Sequence, residues 1–155
     1  MKKLFAVLAA LLLVLTAAGC SQKEKTKTFT FENLSITVPE SYKMEETSYD
    51  GFVYCLEGEK LVIFVNRTAI ADIQSYGITE DQVSEIAYQG MEIKEKDGMS
   101  YGVYDYTSGS DKFYYTYGLF KDDTYYWDVN VACQDADKAT LADPMVTILQ
   151  NVELK

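Results

Sequence analysis

The side chains of this 155-residue chain with chemistry to offer are three cysteines, 24 carboxylates and 13 tyrosines, and no histidine accompanies them. A serine or cysteine nucleophile ordinarily depends on a neighbouring imidazole to take its proton. The missing histidine therefore removes Ser-His-Asp and Cys-His arrangements, and histidine-containing zinc sites with them. A carboxylate pair of the glycosidase kind needs no histidine, but no Asp or Glu sits in a recognisable motif here, and so many acids make chance proximity uninformative. Asp122-Asp123 with nearby Asp128 lacks the alternating ligands and the glycine of a calcium loop and reads as a solvated hairpin tip. The expectation is a protein that is not an enzyme, with no cofactor and no metal.

Cys20 stands apart from the other two cysteines because of what precedes it. Met1, Lys2 and Lys3 make a positive end, and residues 4–18 carry no charge. That run is shorter than the roughly 20 apolar residues a spanning helix needs, and it closes on small side chains, so it reads as an export signal. Ala17-Ala18-Gly19-Cys20 resembles the lipobox of bacterial lipoproteins, in which the thiol accepts a diacylglyceryl group and the bond before the cysteine is cut. Ala17 departs from the leucine usual in that family; an ordinary secretory cleavage and an uncleaved anchor are the alternatives. The resemblance implies a signal peptide over residues 1–19, then a lipidated Cys20 and polar tether over 20–28. It places the chain on the extracytoplasmic face of a bacterial cell membrane, with the membrane a partner through the lipid anchor. Two acyl chains make such an anchor firm, at about 0.8 kcal/mol per buried methylene.

Cleavage would take Lys2 and Lys3 from the 14 basic residues and leave 12 against 24 acidic ones, a formal charge of −12. A chain so acidic offers no footprint for phosphate backbones, which excludes nucleic acid as a partner and leaves envelope proteins or wall components. Lys23, Lys25 and Lys27 follow Cys20 closely; they read either as a basic segment drawn to anionic head groups or as a solvated leash.

The elements that must position any site are strands. Asp97-Gly98 is a two-residue turn signal, and a hairpin centred there puts Met91 and Ile93 on one face with Gly102, Tyr104 and Tyr106. The turn at Ser108-Gly109-Ser110-Asp111 then pairs Tyr106 with Phe113 and Tyr104 with Tyr115. An odd loop, Asp122-Asp123-Thr124, carries that face onward from Phe113, Tyr115, Tyr117 and Leu119 to Tyr125, Trp127, Val129 and Val131. Tyr126, Asp128 and Asn130 fall on the opposite, partly exposed face. Tyr114 and Tyr126 are thereby candidates for stacking on a sugar or gripping a peptide; the alternative is that the tyrosines fill the core as strand formers. Glu32-Asn33 aligns Phe29 and Phe31 with Leu34, Ile36 and Val38, and a further hairpin is expected at Gly58-Glu59. Thr79 is expected to cap a helix ending near Gly90, and Asp143 a second one, with Pro144 at its first position, Met145, Ile148 and Leu149 as its buried stripe, and a helical turn from Asp137 to Leu141 leading into it.

These elements predict an α+β fold: a single, largely antiparallel, meander-rich sheet of about six to eight strands flanked by helices, in one domain over residues 29–155. Phe-Glu-Asn-Leu-Ser-Ile-Thr-Val-Pro at positions 31–39, the tyrosine-rich strands to Val131 and the last helix running into Val152-Glu153-Leu154 together resemble the PsbP-like α/β/α sandwich superfamily. That superfamily includes the photosystem II extrinsic protein, a nuclear Ran-binding protein and many bacterial lipoproteins. The resemblance implies a binding or accessory role and carries over no functional residue. Cys55 and Cys133 read either as a disulfide in an oxidising compartment or as two buried thiols. The function expected is that of a non-catalytic binding or accessory module of the cell envelope, the alternative being a structural or stress-related envelope protein that mediates protein association.

The anchor is tested by intact mass. Protein extracted from its native membrane is expected to weigh as much as residues 20–155 plus a diacylglyceryl group, and a Cys20→Ala variant is expected to lack that addition. An unlipidated product released to the medium would overturn the anchor.

Overall fold

The computed structural model describes residues 25–45 and 52–155, and short turns set the course of the chain. Cys20 and the Ala17, Ala18 and Gly19 before it lie outside the described residues. Strand β1 (Thr26–Phe31) turns at Glu32-Asn33 into β2 (Leu34–Pro39), pairing Phe31 with Leu34 and Phe29 with Ile36. The first strand thus begins at Thr26, inside the stretch expected to be tether. Asp97 and Gly98 both take positive φ, 51° and 81°, as a tight hairpin with the right-handed twist of its strands requires. They join β6 (Glu92–Lys96) to β7 (Met99–Ser108) with Ile93 opposite Gly102. Strand β8 (Asp111–Lys121) follows with Tyr106 opposite Phe113 and Tyr104 opposite Tyr115, the expected pairs.

The next turn corrects the expectation. Asp122 N–H donates to Tyr125 O at 3.0 Å, so only Asp123 and Thr124 lie between the paired ends, and β9 (Tyr125–Gln134) joins β8 across an even loop. One residue of slip exchanges the faces. Tyr117 stands opposite Asn130 and Leu119 opposite Asp128, while Trp127, Val129 and Val131 share their face with Tyr114, Thr116 and Phe120.

Strands β3 (Lys43–Glu45), β4 (Tyr54–Glu57) and β5 (Val62–Ala69) complete a seven-stranded antiparallel sheet in the order β3-β4-β5-β9-β8-β7-β6. The β4–β5 turn is centred on Glu59-Lys60, two residues from the expected register at Leu56 and Ile63, which preserves the assignment of faces. A second sheet has the order β1-β2-β10, its last strand being β10 (Val152–Leu154). The fold is α+β and antiparallel, with its strands divided between these two sheets.

One face of the large sheet, the inner face, carries the main core. Leu56, Ile63, Val65, Trp127, Val129 and Val131 pack there with Leu34 and Ile36 of the small sheet and with Met145, Ile148 and Leu149. Those last three belong to helix α3 (Lys138–Gln150), which starts five residues before Asp143 and keeps Pro144 inside it. The bond that Pro144 cannot donate would have gone to Thr140 O; both residues are exposed, so water can serve that carbonyl while the buried stripe holds the helix. Gly118 lets α3 come close: a Cβ there would lie 3.3 Å from Leu149 Cδ2. On the outer face, α1 (Ile70–Ser75) and α2 (Glu80–Ala87) lead across one end of the sheet, α2 opened by a capping box between Thr79 and Gln82. Gly102 gives that crossing its clearance, since a Cβ would sit 2.6 Å from Met91 Sδ and 3.1 Å from the Tyr88 ring.

Leu149→Ala is expected to cost about 2–5 kcal/mol, and Ile86→Ala, on the exposed side of α2, less than about 0.5 kcal/mol. Urea unfolding followed by the fluorescence of Trp127, the sole tryptophan, measures both; equal losses would contradict the assignment of the core.

Candidate functional site

The uncovered half of the outer face is concave, and its register explains why. Across the sheet Val62 pairs with Ala132, Ala132 with Tyr115 and Tyr115 with Tyr104. The smallest side chain of that row lies on the central strand, with the tyrosine rings rising on the β8 side and Val62 on the other. Tyr104 and Tyr115 stack with centroids 4.8 Å apart and planes 8° from parallel, and Tyr106 meets Tyr115 edge-on at 6.3 Å. Phe52 and Phe64 form the opposite wall, in ring contact at 4.9 Å. The groove so enclosed measures about 900 Å³; Phe113 lies at one end, and Glu57, Glu59, Lys60 and Asp137 at the rim. The Lys60 ammonium is held by Asp137 at 2.9 Å.

Polar groups under the aromatic layer are paired. Tyr104 donates its hydroxyl to Asn130 Oδ1 at 2.9 Å, and burial raises its pKa, so it stays protonated. Tyr117 donates to the Asp128 carboxylate, and Tyr88, edge-on to Tyr117 at 5.2 Å, accepts from the Leu119 N–H. Burial also raises the Asp128 pKa, against the opposing effect of the Tyr117 hydrogen bond. A half-hidden carboxylate is therefore held by a phenol instead of a cation.

Of the two readings of Cys55 and Cys133, the structure shows the second. Cys55 and Cys133 are both buried free thiols. Cys55 pairs with Phe64 and Phe64 with Asn130, three positions along β9 from Cys133, which puts two strand spacings, roughly 10 Å, between them before that offset is counted. A bridge needs Cα atoms within about 7 Å. The two cysteines also point to opposite faces, Cys133 into the core and Cys55 with the outer-face row. Burial, with Glu57 and Glu45 adding to it, pushes the Cys55 thiol up to about 11.

Tyr114 and Tyr126 are corrected as ligand contacts. Tyr114 is 5% and Tyr126 6% exposed. The one-residue slip turns Tyr114 inward, where Lys138 lies over its ring at 4.2 Å; Tyr126 lies under Lys121, which reaches Glu80 of α2. Of the aromatics that line the groove, Tyr104, Tyr106, Phe113 and Tyr115 are those the odd loop had placed on one face with Trp127, Val129 and Val131. Asp122 and Asp128 are likewise separated. Asp122 lies on the inner face and accepts from Thr124 N–H at 2.6 Å, Tyr125 N–H at 2.7 Å and Trp127 Nε1 at 2.8 Å.

No protein-family model matches the chain, and no curated protein matches it in sequence. Among solved structures, the solution structure of cyanobacterial PsbP (CyanoP) from Synechocystis sp. PCC 6803 is similar with a TM-score of 0.56 at 10% identity, over 88% of this chain and 96% of that one. LpqN, involved in cell envelope biogenesis of Mycobacterium tuberculosis, gives a TM-score of 0.48 at 11% identity, over 84% and 91% of the two chains. At such identity the likeness to CyanoP is one of fold, and the domain has a PsbP-like fold.

A raised carboxyl pKa in the folded state means that ionisation opposes folding. The cost is absent below the unfolded value and grows as pH rises through the folded one. Asp128→Asn keeps an acceptor for Tyr117 without the charge. It is expected to melt at the same temperature as the parent near pH 3 and at a higher one at pH 7; a less stable variant at pH 7 would contradict this account of Asp128.

Proposed function

We propose that the chain is a lipid-anchored, extracytoplasmic, non-catalytic binding or accessory module of the bacterial cell envelope, whose ligand or partner group seats in the outer-face groove. The observation that carries this reading is the concavity itself. Most ligand sites are concave and mostly apolar, with a few placed polar groups, and here aromatic walls stand over a small floor within about 900 Å³. A flat apolar patch would instead favour the alternative, a structural envelope protein that acts by association. The export signal and Cys20 support the location.

The chemistry of the groove supports binding over catalysis. Cys55, the thiol of the outer-face row, is buried and its raised pKa keeps it in the un-ionised form. Tyr104 spends its hydroxyl on Asn130, and Lys60 spends its charge on Asp137. These groups hold the shape of the groove and leave the ring faces as its recognition surface.

Tyrosine footprinting tests the reading without knowledge of the ligand. Tyr106 is 52% and Tyr76, far from the groove, 82% exposed, so nitration of the purified protein is expected to modify both. In intact cells Tyr106 is expected to be protected several-fold while Tyr76 reacts as before. Equal reactivity of Tyr106 in the two settings would mean that nothing occupies the groove in the envelope.

A further inference from the structure

We propose that the groove takes a small quaternary ammonium cation, seated above Ala132 between the Phe52–Phe64 wall and the Tyr104–Tyr115 wall; this rests on the groove being the ligand site. The first support is spacing. Phe64 and Tyr115 stand on β5 and β8, the two neighbours of β9, so the walls are two strand spacings or roughly 10 Å apart. A cation above Ala132 would lie about 5 Å from the Tyr115 ring, inside the roughly 6 Å over which a ring face attracts positive charge, with Phe64, two residues along from Val62, closing the far side.

The second support is charge. The rim carries Glu57, Glu59 and Asp137 against Lys60 alone, and the Lys60 ammonium is already held by Asp137. The local field therefore favours a positive guest. The third is the lack of fit for other cations. Ala132, Val62 and the rings give the floor and walls few acceptors, and the Tyr104 hydroxyl is committed to Asn130. A primary ammonium seated between the rings would have to give up strongly held water with acceptors on the rim side alone. A quaternary ammonium has no N–H to satisfy, and its methyl groups are at home among apolar rings.

The full-length protein, labelled at its tyrosine rings and held in detergent, would be titrated with choline and separately with dimethylbutanol, its uncharged carbon isostere, and read by NMR. Choline is expected to shift the rings of Tyr104, Tyr106 and Tyr115 and to bind at least about tenfold more tightly than the isostere. Tyr115→Leu is expected to remove most of that preference while leaving the fluorescence of Trp127 native, and Glu57→Gln with Glu59→Gln is expected to weaken choline alone. Phosphocholine separates two sources of the same group: binding equal to or tighter than that of choline indicates a lipid headgroup, and weaker binding indicates a free solute. Equal affinity for choline and dimethylbutanol would overturn the cation and leave a groove that binds apolar guests. No binding of either, or shifts confined to tyrosines outside the groove, would overturn the cation too, and the footprint of Tyr106 would then judge the groove independently.

Discussion

The carboxylate of Asp122 closes the turn between β8 and β9, and which face of the sheet each aromatic ring of these two strands shares with the other follows from it. Its oxygens take the N–H groups of Thr124 and Tyr125 and the indole N–H of Trp127. Partial desolvation raises the Asp122 pKa, but these donors, with Asn33, outweigh it and hold the carboxyl below its ordinary range. Since Trp127 is fully buried, the bond fixes its indole at one depth and angle, and the strand that carries it can neither slide nor turn over. Nearby, Arg67 of the same sheet reaches Glu32 in the turn of the small one. The two sheets are thus joined at a corner where a register is also set.

Most of the architecture was legible in the sequence wherever a turn announced its own geometry. Asp97-Gly98 and Glu32-Asn33 lie between alternating runs and gave the right partners, and Thr79 with Gln82 marked a helix start. The site was not legible, for a reason of counting. Asp122, Asp123 and Thr124 look like three loop residues, but Asp122 extends the ladder and faces inward, so the loop has two. Parity then inverted, and the tyrosines of the groove were placed on one face with Trp127, Val129 and Val131 while Tyr114 was assigned to solvent. Both faces of these strands are rich in aromatics, so hydrophobic alternation could not arbitrate. The signal that could have done so was the pair Asp122 and Trp127, a carboxylate and an indole donor odd-spaced along the chain, able to meet across a two-residue turn. Helix α3 was misread at its start for a different reason. Pro144 follows an apt capping residue, yet burial of Met145, Ile148 and Leu149 favours one continuous helix strongly enough to carry a proline on its exposed side.

The concavity of the outer face is made by contrast in side-chain size. Ala132 is flanked by strands bearing Phe64 and Tyr115, and Gly102 is flat where α2 and Met91 cross. The two small residues have opposite uses. At Gly102 the space is filled by the chain itself; at Ala132 it is left open between rings. Tyr104, Asn130, Tyr117 and Asp128 form a polar layer between these two regions. That layer separates the covered half of the face from the uncovered half and keeps the groove walls upright.

Strand β2 has β1 on one side and β10 on the other. The Ser35 hydroxyl meets the Glu153 carbonyl across a separation of 118 positions, and the Lys155 N–H donates to Asn33 O. A ribosome releases a chain from its N-terminus onward, so one edge of β2 waits for its partner until β10 has emerged. Closing so long a loop is slow compared with closing a hairpin. Completion of the small sheet therefore follows synthesis of every strand of the large one, and a chain stopped short of β10 would present an open β-edge to its neighbours.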